Sequence, residues 1–275
     1  MNQLADAYDI IAFDLDGVIY RGTNAIPGAV STITTLQRMG KRLGFVTNNA
    51  QRSPKVVCDH LRRLGIPCSV DDVVTSAQAT AHLMAEHLPP NAQVLTLGTQ
   101  ALAAELDAVG LEPCRRRSAD MAAVCIGYDP SLRWSDFNEA CFAIQNGSIW
   151  YACNNDLNRP AAEGLAIGMG AVIAAMQAAL PGQSPIMGGK PARALLDETR
   201  QRLGSGRALF VGDRLDTDIE GANNAGWDSL WVLSGSQEYA ELAVSPVSQQ
   251  PTFVGNNVTA LLETGQGKAE FKVME

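Results

Sequence analysis

The most constraining stretch of this chain is Ile10-Ile11-Ala12-Phe13-Asp14-Leu15-Asp16-Gly17-Val18. A short apolar run closed by a turn signal reads as a buried strand. Ionised carboxylates cannot sit in the middle of such a strand. Asp14 and Asp16 therefore belong at its C-terminal end, where parallel sheets bind ligands, and Gly17 lets the chain turn there. Two carboxylates held together repel, so one is protonated or a cation neutralises them. Either outcome is useful chemistry: an ionised nucleophile beside a neutral acid, both near a hard metal such as magnesium. The plainer reading of this stretch alone is an acidic loop at a strand end.

Strand and helix signals then alternate. Residues 29–39 carry Val30, Ile33 and Leu36 at helical spacing, with Gly40 as a cap. Residues 42–46 read as a second strand ending in Thr47-Asn48-Asn49, whose hydroxyl and backbone N–H groups can hold an anion. An ordinary Thr/Asn turn is the alternative there. Ser53-Pro54 opens a helix that Gly65 stops, and residues 72–76 form a short third strand. From Asn91 the texture restarts, with strands at 94–98, 124–127 and 149–153, helices at 101–109 and 134–145, and a small-residue helix within 167–180. Residues 80–183 thus read as an α/β unit of their own, inserted into a core made of 1–79 and 184–275. The last block holds Gly188-Gly189-Lys190-Pro191, a helix over 192–203 and a strand over 208–212 with Asp213 at its end. Asp216 and Asp218 follow closely, then a helix over 219–225, short strands at 229–233 and 252–254, and a helical turn at 260–263. The tail from Gly265 is expected to fray.

Composition narrows the partners. The 275 residues are 46% hydrophobic, enough for a sizeable core, and the net charge is -8. That balance argues against nucleic acid or an anionic membrane as the main partner, but not against a phosphorylated substrate, whose local field is set by a metal and a few placed cations. None of the six cysteines forms a C-x-x-C pair, and no signal pattern or membrane-length apolar run occurs. The expectation is a cytoplasmic protein with reduced, mostly buried thiols.

Four strand-end features belong together in a doubly wound, mostly parallel sheet: Asp14/Asp16, Thr47, Lys190 and Asp213/Asp218. Singly, each has a bland reading as a cap, a turn or a surface charge. Together they supply a nucleophile, an acid, anion donors, a cation and metal ligands. Asp14-Leu15-Asp16-Gly17-Val18, Thr47-Asn48-Asn49, Gly189-Lys190-Pro191 and Gly212-Asp213 through Ile219 resemble, in order, motifs I to IV of the haloacid dehalogenase (HAD) superfamily. Thr75-Ser76-Ala77, Asn155-Asp156 and Gly168-Met169-Gly170 are similar to its type IIA, NagD-like or p-nitrophenylphosphatase-like subclass, which carries a large α/β cap between motifs II and III.

The resemblance implies a Rossmann-like α/β core with an inserted cap, and a magnesium-dependent phosphomonoesterase acting on a small phosphorylated metabolite. Asp14 would be the nucleophile that forms an aspartyl-phosphate, and Asp16 the acid and then the base. Mg2+ would be held by the carboxylates of Asp14 and Asp213 and the backbone carbonyl of Asp16. Asp218 would orient a metal-bound water or Lys190. Thr47, the Asn48 amide and Lys190 would hold the phosphoryl oxygens. Asn155 and Asp156 are candidate substrate contacts in the cap, and the subclass brings a cap-mediated homodimer into consideration.

Rival signatures are weaker. Cys153-x₅-Arg159 matches a cysteine-phosphatase loop in spacing, but its intervening residues lack glycine. Lys190 is followed by proline, which fails a Walker loop. Asp216-x-Asp218-x-Glu220-Gly221 echoes a calcium loop, yet Trp227 stands at its twelfth position. A receiver-type signalling domain also uses acidic strand ends, Thr and Lys, but its phosphoacceptor lies on the third strand and it has no inserted cap. A phosphate-binding pseudoenzyme is opposed by the full motif set.

Overall fold

The structure, a computed structural model, describes residues 3–161 and 163–264. The tail from Gly265, expected to fray, lies outside the described residues. The chain divides into two compact units. The first takes the chain up to Thr47, Pro54–Val74 and everything from Pro191; the second takes Asn48–Ser53 and Thr75–Lys190. The second is wider than the 80–183 block marked by sequence texture. Ala50 joins the apolar core of the second unit, which places the loop after Thr47 there.

The first unit is built on a six-stranded sheet. Its order is Phe253–Gly255, Asp228–Val232, Ala208–Gly212, Ile10–Phe13, Arg42–Thr47 and Val73–Thr75. Ile10–Phe13 pairs in parallel with Ala208 to Val211 on one side and with Arg42 to Phe45 on the other. Every residue of that strand is buried, as expected for a parallel strand covered on both faces. The chain lays strands first on one side of Ile10–Phe13 and later on the other. This is the topology that opens a crevice beyond the carboxyl ends of the central strands. Phe13 and Phe45 stack at 6.2 Å between ring centroids beneath that edge.

Short elements complete this unit. Val18 to Ala25 folds into a small flap, the antiparallel hairpin Tyr20–Arg21 with Asn24–Ala25. Helix Ala29–Arg38 buries Ile33 and Leu36 on the sheet, and Pro54 is the first residue of helix Pro54–Arg63. Instead of one helix over 219–225, a π-helical turn at Leu215–Ile219 runs into helix Glu220–Asn224. Such wide turns concentrate at functional sites.

The second unit has its own sheet, in the order Ile186–Met187, Ile149–Ala152, Ala123–Ile126, Gln93–Leu97 and Glu112–Cys114, parallel throughout. One core joins residues of Ser76–His87 and Gln100–Ala108 to one face, and another joins Trp134–Gln145 and Met169–Ala179 to the opposite face. Thr75 caps Ser76–His87 by a capping box with Gln78. The two edge strands were not legible from periodicity. Glu112–Cys114 contains Pro113, which strands tolerate only at an edge. The hairpin Asn158–Ala161 with Gly164–Ile167 was also unexpected, because Leu165 and Ile167 are exposed and the second strand shows no alternation with buried residues. Among the described residues no helix is long and apolar enough to cross a membrane, and all six cysteines are free thiols.

Candidate active site

In the first unit, Asp14 directly follows Ile10–Phe13, and Asp213 directly follows Ala208–Gly212. The backbone N–H of Asp14 donates to the Val211 carbonyl at 2.8 Å, which ties the two strand ends together. Asp218 comes back toward them on the π-helical turn. One carboxylate oxygen from each of Asp14, Asp213 and Asp218 lies within 4.8 Å of the other two. Asp213 is 5% exposed and Asp218 2%. Asp14 is half-buried, and three carboxylates so close, two of them out of water, repel strongly unless a cation or protons intervene.

The surroundings fix these groups. Asp218 Oδ2 accepts the backbone N–H groups of Asp213 at 3.0 Å and Arg214 at 3.1 Å, so it braces the turn that carries Asp213. Trp231 Nε1 donates to the Asp213 carbonyl at 2.8 Å. Glycines admit the carboxylates at contact range. Gly17 adopts φ +91°, and a Cβ there would stand 2.5 Å from Asp213 Oδ2. A Cβ on Gly235 would overlap the same carboxylate, and one on Gly212 would overlap Asp218. Gly235 and its neighbour Ser234 escaped the sequence reading. The Ser234-Gly235-Ser236 run at the end of a strand was the available signal. Arg21 donates to the Ser234 and Gly235 carbonyls, and Ser234 Oγ donates to the Gly17 carbonyl at 2.7 Å.

Asp16 stands apart from the carboxylate trio. It is exposed, forms an isolated bridge with Tyr20 at the base of the flap, and is followed by the Gly17 N–H bonded to the Tyr20 carbonyl at 2.8 Å. Thr47 ends its strand, 9% exposed.

In the second unit, Asn48 and Lys190 are joined by two reciprocal hydrogen bonds. The Lys190 N–H donates to Asn48 Oδ1 at 2.8 Å, and Asn48 Nδ2 donates to the Lys190 carbonyl at 3.0 Å. The Asn48 carbonyl accepts from Ser76 Oγ at 2.7 Å and Asn154 Nδ2 at 2.9 Å. The Asn48 side chain is thus a clamp on the loop that carries Lys190, a role that residue spacing could not reveal. Lys190 is 1% exposed. Asn48 Nδ2 also reaches Asp156 Oδ1 at 3.5 Å. Asn155 is exposed, and its backbone carbonyl packs where a Cβ on Gly170 would stand. Gly168 and Gly170 therefore serve close packing against 155–156. The cysteine-phosphatase reading falls as well: Cys153 is fully buried, and the Arg159 guanidinium lies 4.7 Å over the Tyr128 ring.

The chain is similar to known proteins of one family. A family model described as haloacid dehalogenase-like hydrolase matches residues 11–112, and one described as HAD-hydrolase-like matches 187–261. A D-glycerol 3-phosphate phosphatase of Mycobacterium tuberculosis is 43% identical over 261 residues, spanning 95% of this chain and 73% of the relative. The human glycerol-3-phosphate phosphatase is 33% identical over 299 residues, spanning 96% and 92%. Among solved structures, a glycerol phosphate phosphatase of M. tuberculosis in complex with magnesium superposes with a TM-score of 0.90 at 44% identity, covering 95% of this chain and 78% of that one.

Proposed function

This chain belongs to the haloacid dehalogenase-like hydrolases, as a phosphomonoesterase of the type IIA kind, and we propose that it hydrolyses glycerol 3-phosphate through an aspartyl-phosphate on Asp14. The observation that carries the mechanism is the close trio of half-buried Asp14 and buried Asp213 and Asp218. Its donors are all hard oxygens, and its crowded negative charge calls for a small divalent cation, so the residues fit Mg2+. Asp14, Asp213 and the Asp16 carbonyl would hold the ion, with Asp218 bracing Asp213 from behind. When bound, magnesium would offset the repulsion between the Asp14 carboxylate and an approaching phosphate dianion.

The residues then act in two steps. An Asp14 carboxylate oxygen attacks phosphorus, and the bond to the alcohol oxygen breaks as Asp16 donates its proton to that oxygen. Asp16, now ionised, takes a proton from water, whose oxygen attacks the phosphorus and frees both phosphate and the Asp14 carboxylate. The exposure of Asp16 suits this exchange of protons, while the packing around Asp14 suits a fixed nucleophile. Thr47, the backbone amide of Asn48 and the Lys190 ammonium are the proposed donors to the phosphoryl oxygens. A lysine held almost wholly out of water acts on an anion with little screening.

The substrate assignment is supported by the names of the M. tuberculosis and human relatives. The test is phosphate release from a panel of glycerol 3-phosphate, phosphoglycolate, sugar phosphates and nucleoside monophosphates, with and without magnesium. Turnover should require the metal and favour glycerol 3-phosphate; preference for another ester would overturn the substrate and leave the chemistry. Asp14→Asn should lower release by at least ~10³-fold with an unchanged melting profile. Near-normal release by that variant would refute the nucleophile.

A further inference from the structure

The slot that receives the Asp213 carboxylate has walls that cannot anchor themselves. One wall is Gly17 and the other is Gly235, and a Cβ on either would overlap that carboxylate. Both positions must therefore be bare backbone. A Cβ on Gly17 would also lie 3.1 Å from the Gly235 Cα, so the two walls are close neighbours. A glycine has no side chain with which to fix its own place. The spacing of the slot is set instead by bonds that neighbouring residues make.

The Gly17 wall is fixed within its own segment. Its N–H donates to the Tyr20 carbonyl at 2.8 Å, and the Ile19 and Tyr20 N–H groups donate to the Leu15 carbonyl at 2.9 and 3.1 Å. The Gly235 wall lies outside any strand or helix. Ser234 Oγ donates to the Gly17 carbonyl at 2.7 Å. Arg21 Nη2 donates to the Ser234 carbonyl at 2.6 Å and to the Gly235 carbonyl at 3.0 Å. Arg21 follows Tyr20 in the flap strand, so its backbone is fastened to the first wall and its side chain to the second. A planar guanidinium offers its hydrogens in fixed directions, and its charge strengthens both bonds. Arg21 is exposed, so these bonds add little to overall stability. What they fix is position.

We propose that Arg21 is a positioning residue of the metal site: it sets the place of Gly235 against Gly17 and so fixes the Asp213 carboxylate that would hold Mg2+. The inference rests on the reading of Asp213 as a magnesium ligand. It is tested by calorimetric titration of the intact protein with Mg2+ alone, beside hydrogen exchange and kinetics. Arg21→Met keeps the length of the side chain without its donors. It should weaken Mg2+ binding at least ~5-fold, since a displacement of about 1 Å is costly at such a site. Amide exchange over residues 233–236 of the metal-free protein should quicken, with melting within about 3 °C of the unaltered protein. At saturating magnesium, kcat should fall ~10-fold with KM within about twofold, the split expected of a residue that does not touch substrate. Arg21→Lys, whose ammonium can still donate to both carbonyls, should recover Mg2+ affinity to within about threefold. Thr23→Ala, at an exposed position of the same flap, should change none of these. Unchanged Mg2+ affinity in Arg21→Met would overturn the proposal. So would a loss that Thr23→Ala shares, one that Arg21→Lys fails to recover, or a raised KM with normal metal binding. Asp213→Asn separates the two readings. Mg2+ binding lost in that variant and kept in Arg21→Met overturns this inference alone, whereas an unaltered protein that binds no Mg2+ overturns both.

Discussion

Replacing Gly17 by alanine perturbs the carboxylate trio without replacing any of its members. Two effects add. The backbone there sits at φ +91°, where a side chain costs about 1–2 kcal/mol. The new Cβ would also lie 2.5 Å from Asp213 Oδ2, against an ordinary contact beginning near 3.4 Å. Asp213 or the loop must therefore retreat by about 1 Å, a displacement that can lower a rate ~10²-fold. Gly22 isolates the first effect: its φ is +60°, and no atom lies within 4 Å of its would-be Cβ. Gly17→Ala should lower kcat/KM for glycerol 3-phosphate by ~10²-fold and raise the magnesium concentration needed for half-maximal rate. Gly22→Ala should keep kcat/KM within about twofold, since it meets only the backbone strain. Both should melt ~2–8 °C lower from that strain alone. A Gly17→Ala enzyme with normal kcat/KM and magnesium dependence would refute the reasoning, as would an equal loss in Gly22→Ala.

Two further outcomes follow from hydrogen bonds. Asn48→Ala removes both bonds to the Lys190 backbone and should cost about 1–3 kcal/mol, because a buried N–H and carbonyl lose their partners; an unchanged urea midpoint would contradict the clamp. Tyr8 is buried and donates its hydroxyl to Asp228 Oδ2 at 2.8 Å; burial first, then that bond to Asp228, raises its pKa well above the ordinary value of 10. The folded state keeps this proton where the unfolded chain loses it, so its stabilisation is whole below pH 10 and declines as pH rises further. Tyr8→Phe should lower stability by about 1 kcal/mol at pH 8 and flatten the decline above pH 10; parallel melting curves for the two proteins across that range would dismiss the role.

Local pattern carries some of these parts and not others. The run Ile10–Phe13 ends in Asp14 because a dry strand excludes charge, so the place of the proposed nucleophile at the carboxyl end of a strand is written in nine consecutive residues. Asp213 is legible for the same reason after Ala208–Gly212. The clamp of Asn48 on Lys190 joins positions 142 apart, and nothing local distinguishes that asparagine from a turn former. Gly235 acquires its meaning only from the Asp213 carboxylate packed against it. The edge strand Glu112–Cys114 is hidden by its proline and its three-residue length. Boundaries drawn from texture placed Lys190 in the core block, whereas packing groups it with the second unit.

The central position of Ile10–Phe13 also imposes an order on synthesis. One neighbour, Arg42 to Phe45, leaves the ribosome soon afterwards, but the other begins at Ala208. At translation speeds of ~5–20 residues per second, the strand waits roughly 10–40 s with one edge open. Over that interval every strand of the second sheet is made, Ile186–Met187 being the last. The newborn chain can thus finish its second sheet while the segment bearing Asp14 still lacks the partner that brings Asp213 beside it.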